Sequence, residues 1–300
     1  MRRARSLAAC VGMACLVLFP APVAGADEPH WKSRPLSHWK SQLRDGDAAA
    51  REAAALAVAE LAIAQGPDVV TSTVPLLVQC LDSNGPMLRA AAAGALEQIG
   101  PAAASGVPRL LTLFDQDPEP TVRRRAGLAL ARIAPGEPSV ITAAARALDG
   151  DATDPAREAG AVVLLAAGPA AEMARPQLLS ALAESDATVR IFLAGAVAQI
   201  GDTNRAVPVL LTGLSHEDAV VRAESAGMLA DVAPAHPDAV PSLIQVLADR
   251  DWAVRLAAAD ALGTIGAPAR SAVSSLWRLV RDPNEAVSHG ALRAIRLIRE

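Results

Sequence analysis

The stretch DRDWAVRLAAADALGTIG (residues 249–266) sets two aspartates, a tryptophan and an arginine ahead of an alanine-rich run. Polar clusters of this kind also build reactive sites. The chain, however, writes nearly the same phrase at 184–201 (ESDATVRIFLAGAVAQIG) and at 216–233 (HEDAVVRAESAGMLADVA). A cluster that recurs answers first to the fold, so internal repetition decides the architecture. Aligned on the arginine, the copies fall at Arg51, Arg89, Arg123, Arg157, Arg190, Arg222 and Arg255, with Ser288 at the eighth position. The spacings are 38, 34, 34, 33, 32, 33 and 33 residues.

Each unit reads as two helices. The first opens at a proline in VPLLVQCL (74–81), VPRLLTLF (107–114), VPVLLTGL (207–214) and VPSLIQVL (240–247). Proline at the first helical position forfeits nothing, because that N–H has no acceptor inside the helix. Acidic turns follow at 45–47, 115–117, 149–151, 184–186 and 249–251, where carboxylates cap the second helix and favour its positive end. Counting from the arginine, apolar residues recur at positions three, six, seven and ten: Ala258, Ala261, Leu262 and Ile265 in one unit, Leu193, Ala196, Val197 and Ile200 in another. That is a helical stripe. Gly100, Gly168, Gly201 and Gly266 stand at position eleven, where a left-handed stop favours glycine, and Pro101, Pro169 and Pro268 block continuation.

A lone helix pair buries too little of such a stripe to offset the entropy of ordering it, so neighbouring units must share surfaces. The proline-started helix, the acidic turn and the pattern VR-x-x-A-A-x-A-L-x-x-I-G resemble HEAT repeats, particularly the short bacterial HEAT-like (PBS lyase-type) kind. The resemblance covers residues 35–300. It implies an all-α fold, an α-α superhelix or HEAT-like solenoid of about eight helix pairs, preceded by a short segment at 27–34. The first unit, 34–61, lacks the Val-Pro start and reads as a cap. The resemblance also implies a structural ladder in which turn acids and helix arginines bridge successive units: Asp47, Arg51, Arg89, Asp117, Arg123, Asp151, Arg157, Asp186, Arg190, Asp218, Arg222, Asp251 and Arg255. Pairs such as Asp251 with Arg222 or Arg255 are expected, and removing a buried, paired arginine such as Arg190 is expected to cost ~2–4 kcal/mol.

Composition agrees with closely packed helices: 52% of residues are hydrophobic and only 2% aromatic. The formal charge of −4 offers no basic field for nucleic acid. Residues 1–26 read as a secretory signal peptide: a basic MRRAR, an apolar SLAACVGMACLVLF and a small-x-small end at Ala26. The apolar run is short for a membrane span. LAAC (7–10) imitates a lipoprotein cleavage site, but too little chain precedes it. Cleavage after Ala26 would remove Arg2, Arg3 and Arg5, taking the charge from −4 to −7, and would leave Cys80 as the single cysteine. The expected product is exported, periplasmic or secreted, without an internal disulfide and without an integral membrane segment.

No convergent catalytic or metal-binding set is found. His30, His38, His216, His236 and His289 are scattered, and no Cys-x-x-Cys is present. Deoxyhypusine hydroxylases, also HEAT-like, carry several His-Glu pairs, whereas this chain has one, His216-Glu217, where His216 replaces a turn acid. Bilin lyases share the short repeat and supply an enzymatic alternative. The expected activity is non-catalytic and cofactor-free: a monomer binding a protein or peptide on the concave face made by the second helices. Positions two, five and nine after the arginine lie off the buried stripe and vary. Candidate contact residues are Arg125, Arg132, Phe192, Gln199, Glu224, Asp231 and Asp260, with Trp252 in a turn. The surface is basic near the third unit and acidic near the sixth and seventh.

Overall fold

Alanine at the buried positions dictates how closely the helices approach, and that spacing organises the molecule. The computed structural model describes residues 28–300 except 151–153, 233 and 235, and also excepting the side chain of Glu184. The proposed signal segment and Asp151 therefore lie outside the described residues.

The described chain is almost wholly helical and divides at Leu178/Leu179 into two bodies. In the first, helices pair as α1 (Leu36–Asp45) with α2 (Ala48–Gln65), α3 (Val74–Cys80) with α4 (Pro86–Ile99), α5 (Val107–Gln116) with α6 (Pro120–Ile133), and α7 (Pro138–Leu148) with α8 (Pro155–Ala167). The division falls within α9 (Arg175–Glu184). The second body continues with α10 (Ala187–Gln199), α11 (Thr203–Gly213), α12 (Ala219–Val232), α13 (Ala239–Val246), α14 (Trp252–Ile265), α15 (Val273–Leu279) and α16 (Glu285–Arg299). Among the described residues the fold is thus all-α, with helix pairs stacked within each body. One departure stands at the start, where His30–Trp31 and Arg34–Pro35 form a two-stranded antiparallel hairpin whose turn residues, Lys32 and Ser33, have positive φ.

The even-numbered helices form the densest layer: α2 packs on α4, α4 on α6 and α6 on α8 in the first body, and α10 on α12, α12 on α14 and α14 on α16 in the second. Small side chains permit this. A Cβ on Gly127 would stand 2.7 Å from both Ala159 Cβ and Phe114 Cε2, so α6 meets α8 and α5 only because that atom is missing. In the second body a Cβ on Gly263 would come within 3.0 Å of Ala294 Cα.

Equivalent residues share equivalent burial. The valine or leucine before the arginine is buried in every unit where it occurs, as Leu88, Val122, Val189, Val221 and Val254, and so is Val287 before Ser288. Ala258, Ala261, Leu262 and Ile265 are buried, whereas Ile200 is half-buried because α10 ends one residue before it. Gly100, Gly168, Gly201 and Gly266 terminate their helices with φ between 60° and 92°, a region that side-chain-bearing residues avoid.

Candidate functional site

The repeating arginine uses its whole fork. In the second body Arg222 donates from Nε and Nη2 to Asp249 at 2.8 and 2.9 Å, and from Nη1 to the carbonyls of His216 and Glu217, both at 2.8 Å. Arg255 repeats the arrangement with Asp282 and with the carbonyls of Asp249 and Arg250. In the first body Arg89 grips Asp117 at 2.7 Å through both nitrogens and the carbonyls of Ser83 and Asn84. Arg123 holds Asp154 Oδ2 and, through Nη1, the carbonyls of Asp117 and Pro118. Each guanidinium thereby closes its own turn and ties it to the next, satisfying donors that burial would otherwise orphan.

This geometry corrects the expected pairing. Asp251 does not meet Arg222 or Arg255; it caps α14, accepting the Ala253 N–H. Asp47, Asp186 and Asp218 likewise accept N–H groups of the helices they precede. The acid that reaches the preceding arginine stands two residues before the cap, as Asp117, Asp249 and Asp282 do. There its second oxygen also accepts the cap residue's own N–H, at 2.8 to 3.0 Å. Asp154 fills both roles at once, binding Arg123 and the Ala156 N–H. The physical reason is direction: the cap side chains of Asp47, Asp186, Asp218 and Asp251 fold back over their own helices, and where the turn holds an acid two residues earlier, that residue faces the neighbouring unit.

Three arginines depart from the pattern. Arg190 is exposed and makes no ion pair among the described residues, which corrects the expectation of a buried, paired side chain there; His216 stands at the acid's position in the following turn. Arg51 donates to the Leu43 carbonyl and lies 3.6 Å from Cys80 Sγ. Arg157 is buried, and its Nε has no hydrogen-bond partner among the described residues.

The ladder's protonation states follow from these contacts. Burial pushes the Asp249 carboxyl up, but the Arg222 hydrogen bonds, the Asp251 N–H and the nearby arginine charges outweigh it and hold it below its ordinary value. Asp117 is lowered by the same balance. For Asp282 the Arg255 hydrogen bonds are the leading cause and the result is again a lowered value. Arg89, Arg222 and Arg255 are in turn held more firmly protonated by their carboxylates.

The expected contact residues do not form one cluster. Arg125 and Arg132 are exposed on α6. Phe192 and Gln199 are half-buried on α10, and on α12 Glu224 is half-buried and Asp231 exposed. Asp260, on α14, is engaged by Arg293 at 2.6 Å. Trp252 is half-buried and is the first residue of α14 rather than a turn residue. The second body therefore offers dispersed candidates, and the first body a focus.

At that focus stands Glu97 of α4, a residue that repeat periodicity passes over. It is 8% exposed, and its Oε2 has no hydrogen-bond partner among the described residues. Arg125 Nη1 lies 3.8 Å from that oxygen. Burial drives the Glu97 carboxyl above its usual range, even though Arg125, Arg132 and Arg124 all pull it down. Arg124 is already committed to Glu158 on α8 through a two-pronged pair at 3.0 and 3.1 Å. Arg132 reaches alongside the end of α4: a Cβ on Gly100 would lie 4.0 Å from its Cγ and Nε. One turn ahead of Glu97, Gly94 leaves a gap in which an added Cβ would meet nothing within 4 Å. Among the described residues no group of three or more His, Cys, Asp or Glu side chains is placed to hold a metal ion. No helix among them is long and apolar enough to cross a membrane.

Comparison with known families agrees with the repeat. The family model for HEAT repeats matches residues 74–166, 175–249 and 207–296, and that for HEAT-like repeats matches 48–99. The chain belongs to the HEAT repeat family. Among curated proteins none matches this HEAT-repeat chain. Among solved structures, an engineered protein is 24% identical with a TM-score of 0.48, over 88% of this chain and 78% of that one. Human deoxyhypusine hydroxylase in complex with glycerol is 24% identical with a TM-score of 0.37, over 88% and 96%. A homology model of the full-length AP-3 complex in an intermediate open conformation gives a TM-score of 0.54 at 17% identity, over 86% of this chain and 50% of that one. The last of these likenesses, at 17% identity, speaks to the helical fold alone.

Proposed function

We propose that this HEAT-repeat chain is a non-catalytic scaffold that holds a protein or peptide on the outward face of its even-numbered helices. The observation that supports the reading is a division within each unit. Buried positions and ladder arginines repeat, whereas outward positions hold residues as different as Arg125, Phe192, Glu224 and Asp260. A solenoid's fold requires the first set and leaves the second free to serve recognition. Family membership adds to this, because HEAT repeats commonly mediate protein interactions. We further propose that residues 1–26 direct export and are removed after Ala26, so that the scaffold works as a monomer in the periplasm or beyond.

A photo-crosslinking residue tests the binding reading, placed at Arg125 or Phe192 on the outward face, or at exposed Thr112 on α5. The reading expects partner adducts from the first two positions and none from Thr112; adducts from Thr112 alone overturn it. N-terminal sequencing of the protein isolated from its host tests export, with Asp27 expected as the first residue. A bound chromophore in that preparation, seen by absorption, would favour the lyase-like alternative instead.

A further inference from the structure

We propose that the α4–α6 surface around Glu97 binds an acidic peptide segment in extended conformation; the inference rests on the scaffold reading and names the ligand chemistry of its first body. Two cations stand on α6, Arg125 and Arg132, seven residues apart and so about 10 Å along the helix axis. One carboxylate, Glu97, lies beside them, and Arg124 is already neutralised by Glu158. The patch therefore keeps one unmatched positive charge, which a single ligand carboxylate balances through the planar guanidinium forks.

The remaining features suit a peptide better than a bare anion. Glu97 Oε2 is buried and accepts nothing from the chain. A main-chain N–H beside the ligand's acidic side chain would supply the donor that this oxygen lacks, which an inorganic anion or a phosphodiester does not carry. Leu128, 7% exposed, lies on α6 between the two arginines. Gly94 holds the corresponding position of α4 with open space above it, so an aliphatic side-chain stem can lie against α4 there. Val162 holds that position in α8, and Gly195 and Gly227 hold it in α10 and α12.

The test uses the full chain and a short fluorescein-labelled oligoglutamate, followed by fluorescence anisotropy at low salt, with oligoglutamine and oligothymidylate of equal length alongside. Oligoglutamate is expected to bind and oligoglutamine to bind at least about tenfold more weakly, which corresponds to one charge-assisted contact. Arg125→Ala and Arg132→Ala should each weaken oligoglutamate by about tenfold. Gly94→Leu should weaken it similarly without lowering the melting temperature, because the added Cβ meets no atom within 4 Å and the side chain fills the gap. Arg270→Ala, exposed in the second body, should change nothing. Absence of oligoglutamate binding overturns the proposal, as does binding that Gly94→Leu and Arg132→Ala leave intact. Tighter, equally site-dependent binding of oligothymidylate also overturns it. Partner crosslinks at Arg125 that persist when oligoglutamate fails would sink the acidic-ligand assignment alone and leave the scaffold reading standing.

Discussion

Arg222→Ala probes the ladder where it is best buried. The Arg222 and Asp249 side chains are 6% and 13% exposed, and truncation deletes four hydrogen bonds at once. Asp249 is left with the Asp251 N–H alone, the His216 carbonyl loses its donor, and the Glu217 carbonyl keeps only Arg250 Nη2 at 3.3 Å. Breaking a buried ion pair costs about 3–5 kcal/mol. Because Asp249 keeps a little exposure, water reaches it and the lower end, about 3 kcal/mol, is expected. Unfolding entropy of ~2.1 cal/mol/K per residue gives the second body, about 120 residues, ~0.25 kcal/mol/K. The melting midpoint should therefore fall by about 12 °C if that body unfolds alone, and by about 5 °C if some 270 residues unfold together. Differential scanning calorimetry at neutral pH reads both the shift and the size of the cooperative unit. Arg190→Ala is the matched control, exposed and without an ion pair among the described residues, and should cost under about 0.5 kcal/mol. Equal shifts for the two variants would refute the argument that the guanidinium's buried partners, rather than its place in the repeat, carry the stabilisation.

Other expectations follow from the same contacts. Asp117, Asp249 and Asp282 have lowered values when folded, so their contribution is present above the ordinary aspartate value of about 3.9. It is lost as pH falls through the lowered folded values; melting midpoints should drop steeply below about pH 4, and less so in Arg222→Ala. Glu97 has the opposite sign: its raised value means that its charged form costs stability above about pH 4.3, a cost relieved as the pH is lowered. Glu97→Gln should thus melt no lower than the wild type at pH 7, with the difference closing toward pH 5; a loss of several degrees at pH 7 would show that Glu97 is a structural counter-ion. Two glycines in helix interiors should respond oppositely to alanine in urea denaturation. Gly94→Ala gains about 1 kcal/mol of helix propensity, while Gly127→Ala loses stability because its methyl collides with Ala159 and Phe114.

The period of the arginines, the position of the glycine stops and the buried stripe were readable because each recurs in register, and recurrence separates a fold requirement from local accident. The ladder's pairing was not readable at the level of individual acids. In DRD (249–251) both aspartates are chemically alike, and only backbone direction sends Asp249 to Arg222 and Asp251 to its own helix. Asp154 was missed for a related reason: the turn before α8 is longer, and 31 residues separate it from Arg123, against 27 in the later units. Arg190 was misjudged because the alignment scores the arginine itself, whereas burial depends on what the next turn supplies; the histidine at 216 was the available signal. Arg125 and Arg132 were found as outward variants, but Glu97 was overlooked because outward positions were sought and its own position is a buried one.

Glu97 bears on where function resides in repeats. Eight residues after the arginine, the other units hold Ala59, Ala131, Leu165, Ala198, Ala230, Gly263 and Arg296; only the second unit places an acid there. Substituting a carboxylate for a small apolar side chain at an enclosed position is unfavourable unless every oxygen is satisfied, and one oxygen of Glu97 is not. Five residues after the arginine the same unit carries Gly94, sacrificing helix propensity without gaining the close packing that Gly127 secures. Glycine recurs at that position as Gly195 and Gly227, so the departure particular to the second unit is Glu97, which weakens the stack and has no rationale in folding. A ligand that needs the acceptor gives it one. In a chain whose fold is written in repetition, the destabilising exception is therefore a more specific mark of recognition than the exposed, variable residue, and it is at Glu97 that mutation should separate binding from stability.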